Sequence, residues 1–122
     1  MDFPARILSI GDDENLLISR ELILRKQGYE VASIASNEFL RTTPAGSFDV
    51  AVVSQSVVRP RASQVVEALK RNYPEIRILR IQPLRSSSEE YYDLDCEAFS
   101  SPSAFLAAVG KLCVRNQSAV KR

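Results

Sequence analysis

The sequence predicts a three-layer α/β/α sandwich built on a five-stranded parallel sheet. Short β-rich apolar runs alternate along the chain with segments whose apolar residues recur at helical spacing. The run Phe48-Asp49-Val50-Ala51-Val52-Val53 shows no polar alternation, which marks a strand buried on both faces at the centre of a parallel sheet. The chain has 122 residues, 45% hydrophobic and 25% charged, the size and composition of a single globular domain. That domain is expected over residues 5 to 115, with a polar tail over 116 to 122.

The first strand is read at Arg6 to Ile10, halted by Gly11 and the acidic residues Asp12, Asp13 and Glu14. A helix is predicted from Asn15 to Gln27 on the spacing of Leu17, Ile18, Leu22 and Leu24, with Gly28 placed for a left-handed cap. Tyr29 to Ala35 supplies the second strand, and Ser36 is read as the cap of a short helix that ends before Pro44. Phe48 to Val53 is the third strand. Ser63 to Tyr73 presents Val65, Val66 and Leu69 on one helix face, and Ile76 to Ile81 is the fourth strand. Pro83 to Asp95 is the least regular stretch, so its helix is short or absent. Cys96 to Phe99 reads as a brief fifth strand. After Pro102, Phe105, Leu106, Val109, Leu112 and Cys113 form a final amphipathic helix.

Composition removes several functional classes. With no histidine, the commonest general base, the usual catalytic zinc ligand and every Ser/His/Asp arrangement are missing. Sixteen Lys and Arg oppose fifteen Asp and Glu, so a net charge of +1 gives no overall field for nucleic acid or anionic lipid. The run Arg59, Arg61, Lys70, Arg71, Arg77, Arg80 and Arg85 lacks interleaved aromatics and is read as a solvated face. Arg80 is the exception, because a strand interior rarely accepts a guanidinium that does not reach a strand end, an acid or an interface. Glycines at 11, 28, 46 and 110 are too scattered for a phosphate-binding loop. No apolar run reaches the length of about 18 residues that a membrane span needs. Cys96 and Cys113, without Cys-x-x-Cys spacing and with no leader-like run before them, predict a reducing cytoplasmic setting and small buried side chains.

In this architecture the loops at the C-terminal ends of the strands converge beside the first strand. They contain Gly11 to Glu14, Ser54 to Pro60, Gln82 to Arg85 and Ser100 to Pro102. The order and spacing of these pieces resemble the receiver domain of two-component response regulators, a flavodoxin-like fold. The resemblance rests on Ile7 to Leu17, Gly28 to Val31, Phe48 to Val53, Tyr73 to Ile76 and Phe99 to Pro102. It implies transfer of a phosphoryl group from a histidine kinase to an Asp at the end of the third strand. Two acids after the first strand hold Mg²⁺, and a Lys after the fifth strand contacts the phosphate. Magnesium requires hard oxygen ligands and the phosphoryl group requires positive charge, so each part has an electrostatic reason.

Carried over position by position, the resemblance identifies a degenerate member. The phosphoacceptor position is Ser54, which lacks the carboxylate nucleophile. The acidic pair falls on Gly11 and Asp12, so Asp12 is the one metal ligand left and Mg²⁺ binding is weak at best. Asp13 offers an alternative register, and the residues alone also allow both acids simply to favour the loop and the helix start. The phosphate-sensing hydroxyl position is Gln82, the aromatic switch position is Ala98, and the Lys position is Ser101, followed by Pro102. That proline follows a cis bond in the family, so a cis Ser101–Pro102 bond is expected, with Ser103 free to cap the last helix. The face over Ser86 to Leu94, with Tyr91 and Tyr92, is expected to ignore phosphate analogues.

These features imply a phosphorylation-independent signalling domain that acts by protein contact, not an enzyme. Its expected partner is a histidine kinase or an output-domain protein, with a homodimer as a further expectation and no direct contact with nucleic acid or membrane. No output domain follows in this sequence, so the chain is read as acting alone or as one piece of a longer regulator. Two other classes stand beside this reading. One is a phosphotransfer component using Asp12 or Asp13 with Mg²⁺, and the other is a flavodoxin-like module that binds a small ligand at the switch-point cleft.

Overall fold

The structure is a computed structural model that describes residues 5–82, 94–97 and 101–121. Five strands, β1 (Arg6–Ile10), β2 (Glu30–Ile34), β3 (Val50–Val53), β4 (Arg77–Gln82) and β5 (Leu94–Glu97), form one sheet in the order β2-β1-β3-β4-β5. Every neighbouring pair is parallel. The helices among the described residues are α1 (Glu14–Lys26), α2 (Ser36–Arg41), α3 (Arg61–Asn72) and α4 (Pro102–Lys121). The expected sandwich is therefore present, with β3 as its middle strand.

Alternation along the strands divides the core into two halves. Leu8, Ile10, Ala51, Val53 and Ile78 pack with Phe39 of α2 and with Val65, Val66 and Leu69 of α3. Ile7, Val50, Val52, Leu79 and Ile81 pack on the other face with Leu24 of α1 and with Phe105, Val109 and Leu112 of α4. Cys113 is half-buried against this second half. Burial raises the pKa of its thiol, the charge of Asp49 adds to the rise, and the hydrogen bond with Tyr29 opposes it. The thiol therefore stays protonated at neutral pH and behaves as a small apolar group. The side chain of Cys96 lies outside the described residues.

The local signals explain most element ends. Gly28, at φ +104°, follows α1 in the left-handed region. The Tyr29 N–H donates to Leu24 C=O at 3.2 Å and the Gly28 N–H to Arg25 C=O at 2.9 Å, the paired bonds of a Schellman cap. Asp13 caps the other end of α1 by accepting from the Leu16 N–H at 3.2 Å.

Several expectations need correction. Along α1 the buried residues are Arg20 and Leu24, whereas Ile18 and Leu22 are 51% and 63% exposed. Ser36 is the first residue of α2 and does not cap it; the cap position is Ala35, which has no side-chain bond to offer. α3 begins at Arg61, two residues earlier than Ser63, directly after Pro60. β5 is Leu94–Glu97, not Cys96 to Phe99, because pairing with β4 sets Leu94 opposite Leu79 and Cys96 opposite Ile81. α4 continues to Lys121, through the segment expected as a polar tail. Ala98 and the face from Ser86 to Asp93, with Tyr91 and Tyr92, lie outside the described residues.

The Ser101–Pro102 bond is not cis. Among the described residues the cis peptide bond is Arg59–Pro60. Ser101 itself caps α4, its Oγ accepting from the Ala104 N–H at 3.2 Å and its C=O from the Phe105 N–H at 3.0 Å. Pro102 then stands at the first helical position, where its missing N–H costs nothing and its fixed φ suits the helix. The start of α4 is set by this cap, without the cis bond and without Ser103.

Candidate functional site

The C-terminal ends of β1 and β3 meet at Gly11 and Ser54. The Ser54 N–H donates to Ile10 C=O at 2.9 Å, so the pairing of β1 with β3 continues one residue past the strand. Gly11 is buried, and a Cβ at this position would stand 3.0 Å from Ser54 Cβ and 3.4 Å from the Leu17 side chain. The absence of a side chain at 11 therefore lets the two strand ends close on each other.

Ser54 is 2% exposed and its hydroxyl is fully engaged. Its Oγ accepts from Arg20 Nη1 at 3.0 Å, from Ser56 Oγ at 3.0 Å and from the Ser56 N–H at 3.2 Å, and donates to Gln55 Oε1 at 3.3 Å. The second arm of Arg20, Nη2, reaches Gln55 Oε1 at 2.9 Å. Ser56 Oγ in turn accepts the Asp12 N–H at 2.8 Å and the Asp13 N–H at 3.2 Å. The amides of the loop after β1 thus grip a hydroxyl of the loop after β3.

A second guanidinium supports the same loop from the sheet. Arg80 on β4 is 8% exposed and donates through Nη1 to Ser54 C=O at 2.8 Å and through Nη2 to Val57 C=O at 3.0 Å. A buried guanidinium is tolerated only where acceptors replace its water, and these carbonyls do so. Arg80 therefore reaches a strand end, one of the outcomes the sequence allowed. It also leaves the expected basic stripe, of which Arg59, Arg61, Lys70 and Arg71 are exposed.

Neither acid of the first loop faces Ser54 as a ligand would. The Asp12 carboxylate accepts from the Ser36 N–H at 3.0 Å and from Ser36 Oγ at 2.8 Å, which supplies the cap that Ala35 lacks. Arg61 Nη1 approaches the same Ser36 Oγ at 3.4 Å. Asp13 is committed to α1, as described. Gln82 ends β4 in register with Glu97, and Ser101 is a helix cap. Gly11, Asp12, Asp13 and Ser54 are brought together in one loop cluster.

This arrangement does not fit magnesium, which requires several fixed hard oxygens. Gly11 and Ser54 have no carboxylate, Asp12 is held by Ser36, and a guanidinium lies against Ser54. Among the described residues no group of three or more acidic, His or Cys side chains is placed to hold a metal ion.

The residues that shape the site beyond the expected ones are Arg20, Ser36, Ser56 and Arg61. For Arg20 a signal was present: it stands four residues before Leu24, on the inward stripe of α1, where a charge requires a specific partner. Ser36, Ser56 and Arg61 carry no comparable mark, since loop serines and an exposed arginine are ordinary.

The fold and the placement of the loops define the class: a doubly wound parallel sheet with its loop cluster at the switch point between β1 and β3. Solved structures that superpose on this fold include response-regulator receiver domains. A receiver domain protein (CheY-like) from Methanospirillum hungatei JF-1 superposes with a TM-score of 0.79 at 22% identity, covering 95% of this chain and 99% of that one. Chemotaxis protein CheY4 of Vibrio cholerae gives 0.80 at 18% identity, covering 90% and 99%. The response regulator TrrA of Thermotoga maritima, solved in complex with Mg²⁺ and BeF, gives 0.74 at 17% identity, covering 88% and 98%. No family model matches the chain, and no curated protein does. The chain has the receiver fold. Among the described residues no helix is long and apolar enough to cross a membrane.

Proposed function

We propose that this chain is a receiver-like signalling domain of a two-component or phosphorelay system that works by protein contact, without phosphoryl transfer through an aspartate. The observation that carries this reading is the state of Ser54. It occupies the end of the central strand, is 2% exposed, and has its hydroxyl bonded to Arg20, Gln55 and Ser56. A hydroxyl with a pKa far above that of a carboxylate is a poor nucleophile unless a base activates it, and Arg20, Gln55 and Ser56 are not bases. Asp12 and Asp13, the other candidate acceptors, serve as helix caps. The domain is therefore not an enzyme in this reading. It operates in the cytoplasm, and its partner is a histidine kinase, an output-domain protein or a second copy of the chain.

Treatment with acetyl phosphate and Mg²⁺, followed by intact-mass measurement, tests the proposal. The expected spectrum shows the unmodified mass alone. A stoichiometric gain of one phosphoryl group would overturn the reading, and mapping it to Asp12 or Asp13 would establish the phosphotransfer alternative.

A further inference from the structure

The loss of two carboxylates from a site that receives cations elsewhere leaves open what balances the oxygens that remain. Arg20 projects from α1 into this cluster, 9% exposed, with one arm on Ser54 Oγ at 3.0 Å and the other on Gln55 Oε1 at 2.9 Å. The guanidinium is planar and its donors point in fixed directions, so both contacts are set by one orientation of the group.

We propose that Arg20 is the resident cation of this site. It supplies from the chain itself the positive charge that a metal ion would bring, and it excludes a metal from the oxygens around Ser54. The same observations give the reason. A dication approaching Ser54 Oγ would meet a guanidinium already in hydrogen-bond contact with that oxygen, inside a buried cluster where charges are poorly screened. The Asp12 carboxylate is turned to Ser36, which holds it through both its N–H and its hydroxyl, so it is not placed as a ligand beside Ser54. An acid placed at 54 would therefore pair with Arg20 before it could recruit a metal. The inference is independent of whether the domain signals by contact, since it concerns only the charge at this cluster.

The test compares Ser54→Asp with Ser54→Asp/Arg20→Met, using Mn²⁺ alone as the probe. Paramagnetic broadening of the amide resonances of Gly11 to Asp13 and of residues 54 to 56 reports binding. Ser54→Asp is expected to need at least about tenfold more Mn²⁺ than the double variant for half-maximal broadening. Equal titrations, or tighter binding by Ser54→Asp alone, would overturn the proposal. Where the Met variant loses amide dispersion, Arg20→Gln replaces it, keeping hydrogen-bonding capacity without the charge. Ser54→Asp/Arg20→Lys retains the charge and should bind as weakly as Ser54→Asp. If it binds as tightly as the Gln variant, charge is not the cause and the proposal fails.

Discussion

Replacing Arg80 with Leu is expected to destabilise the domain by about 3 kcal/mol, and so to lower the melting temperature by roughly 10 °C. The side chain is buried and donates to two backbone carbonyls, those of Ser54 and Val57, in the loop that leaves β3. Leucine fills a similar volume but leaves the Val57 carbonyl without its donor and removes one of two from Ser54, which keeps the Val57 N–H at 3.1 Å. A buried acceptor deprived of a charged donor loses more than an ordinary hydrogen bond is worth. Arg80→Lys should recover part of the loss, because an ammonium can reach one carbonyl at a time. Urea titrations with an unchanged slope would give the difference directly, and a loss below about 1 kcal/mol would show that the loop does not depend on this anchor.

Gly11→Val is expected to cost about 2–3 kcal/mol through crowding. The new Cβ would stand 3.0 Å from Ser54 Cβ, and its branches would extend toward Leu17. Whether this is tolerated depends on Ser54 moving, and Ser54 is fixed by Arg20 and Ser56 on its hydroxyl, Arg80 on its carbonyl and Ile10 on its N–H. A double-mutant cycle with Ser54→Gly isolates the contact. The Gly11→Val penalty should fall by about 1 kcal/mol or more when Ser54 is glycine. Additive effects would mean that the two positions do not press on each other. The same crowding would meet an acid restored at 11.

How far the sequence carried depended on which residues act locally. Gly28 and the apolar run of β3 were legible because their physics is contained in a few neighbouring positions: a left-handed cap, and a strand covered on both sides. The positions at the strand ends were legible through their order and spacing, which located Gly11, Asp12 and Ser54 in one cluster. What these residues do there was not legible, because it depends on partners 24 to 44 positions away, such as Ser36 for Asp12 and Ser56 for the Asp12 amide. The apolar residues Ile18 and Leu22 drew the helix stripe of α1 toward the wrong face, while the charged Arg20 held the inward one. The cis bond failed for a different reason. It was transferred from a resemblance, whereas the serine and proline themselves spell out a simple cap followed by a first-turn proline.

The central claim is that the cluster at Ser54 is closed by the chain's own side chains and takes no phosphoryl group. Amide spectra recorded with and without Mg²⁺ and beryllofluoride, a phosphoryl analogue, test it most directly. The two spectra should coincide for Ile10 to Asp13 and for Val53 to Val57. Saturable shifts concentrated at those residues would contradict the account, because they would require an anion and a metal to enter a cluster in which Arg20, Gln55 and Ser56 already engage Ser54.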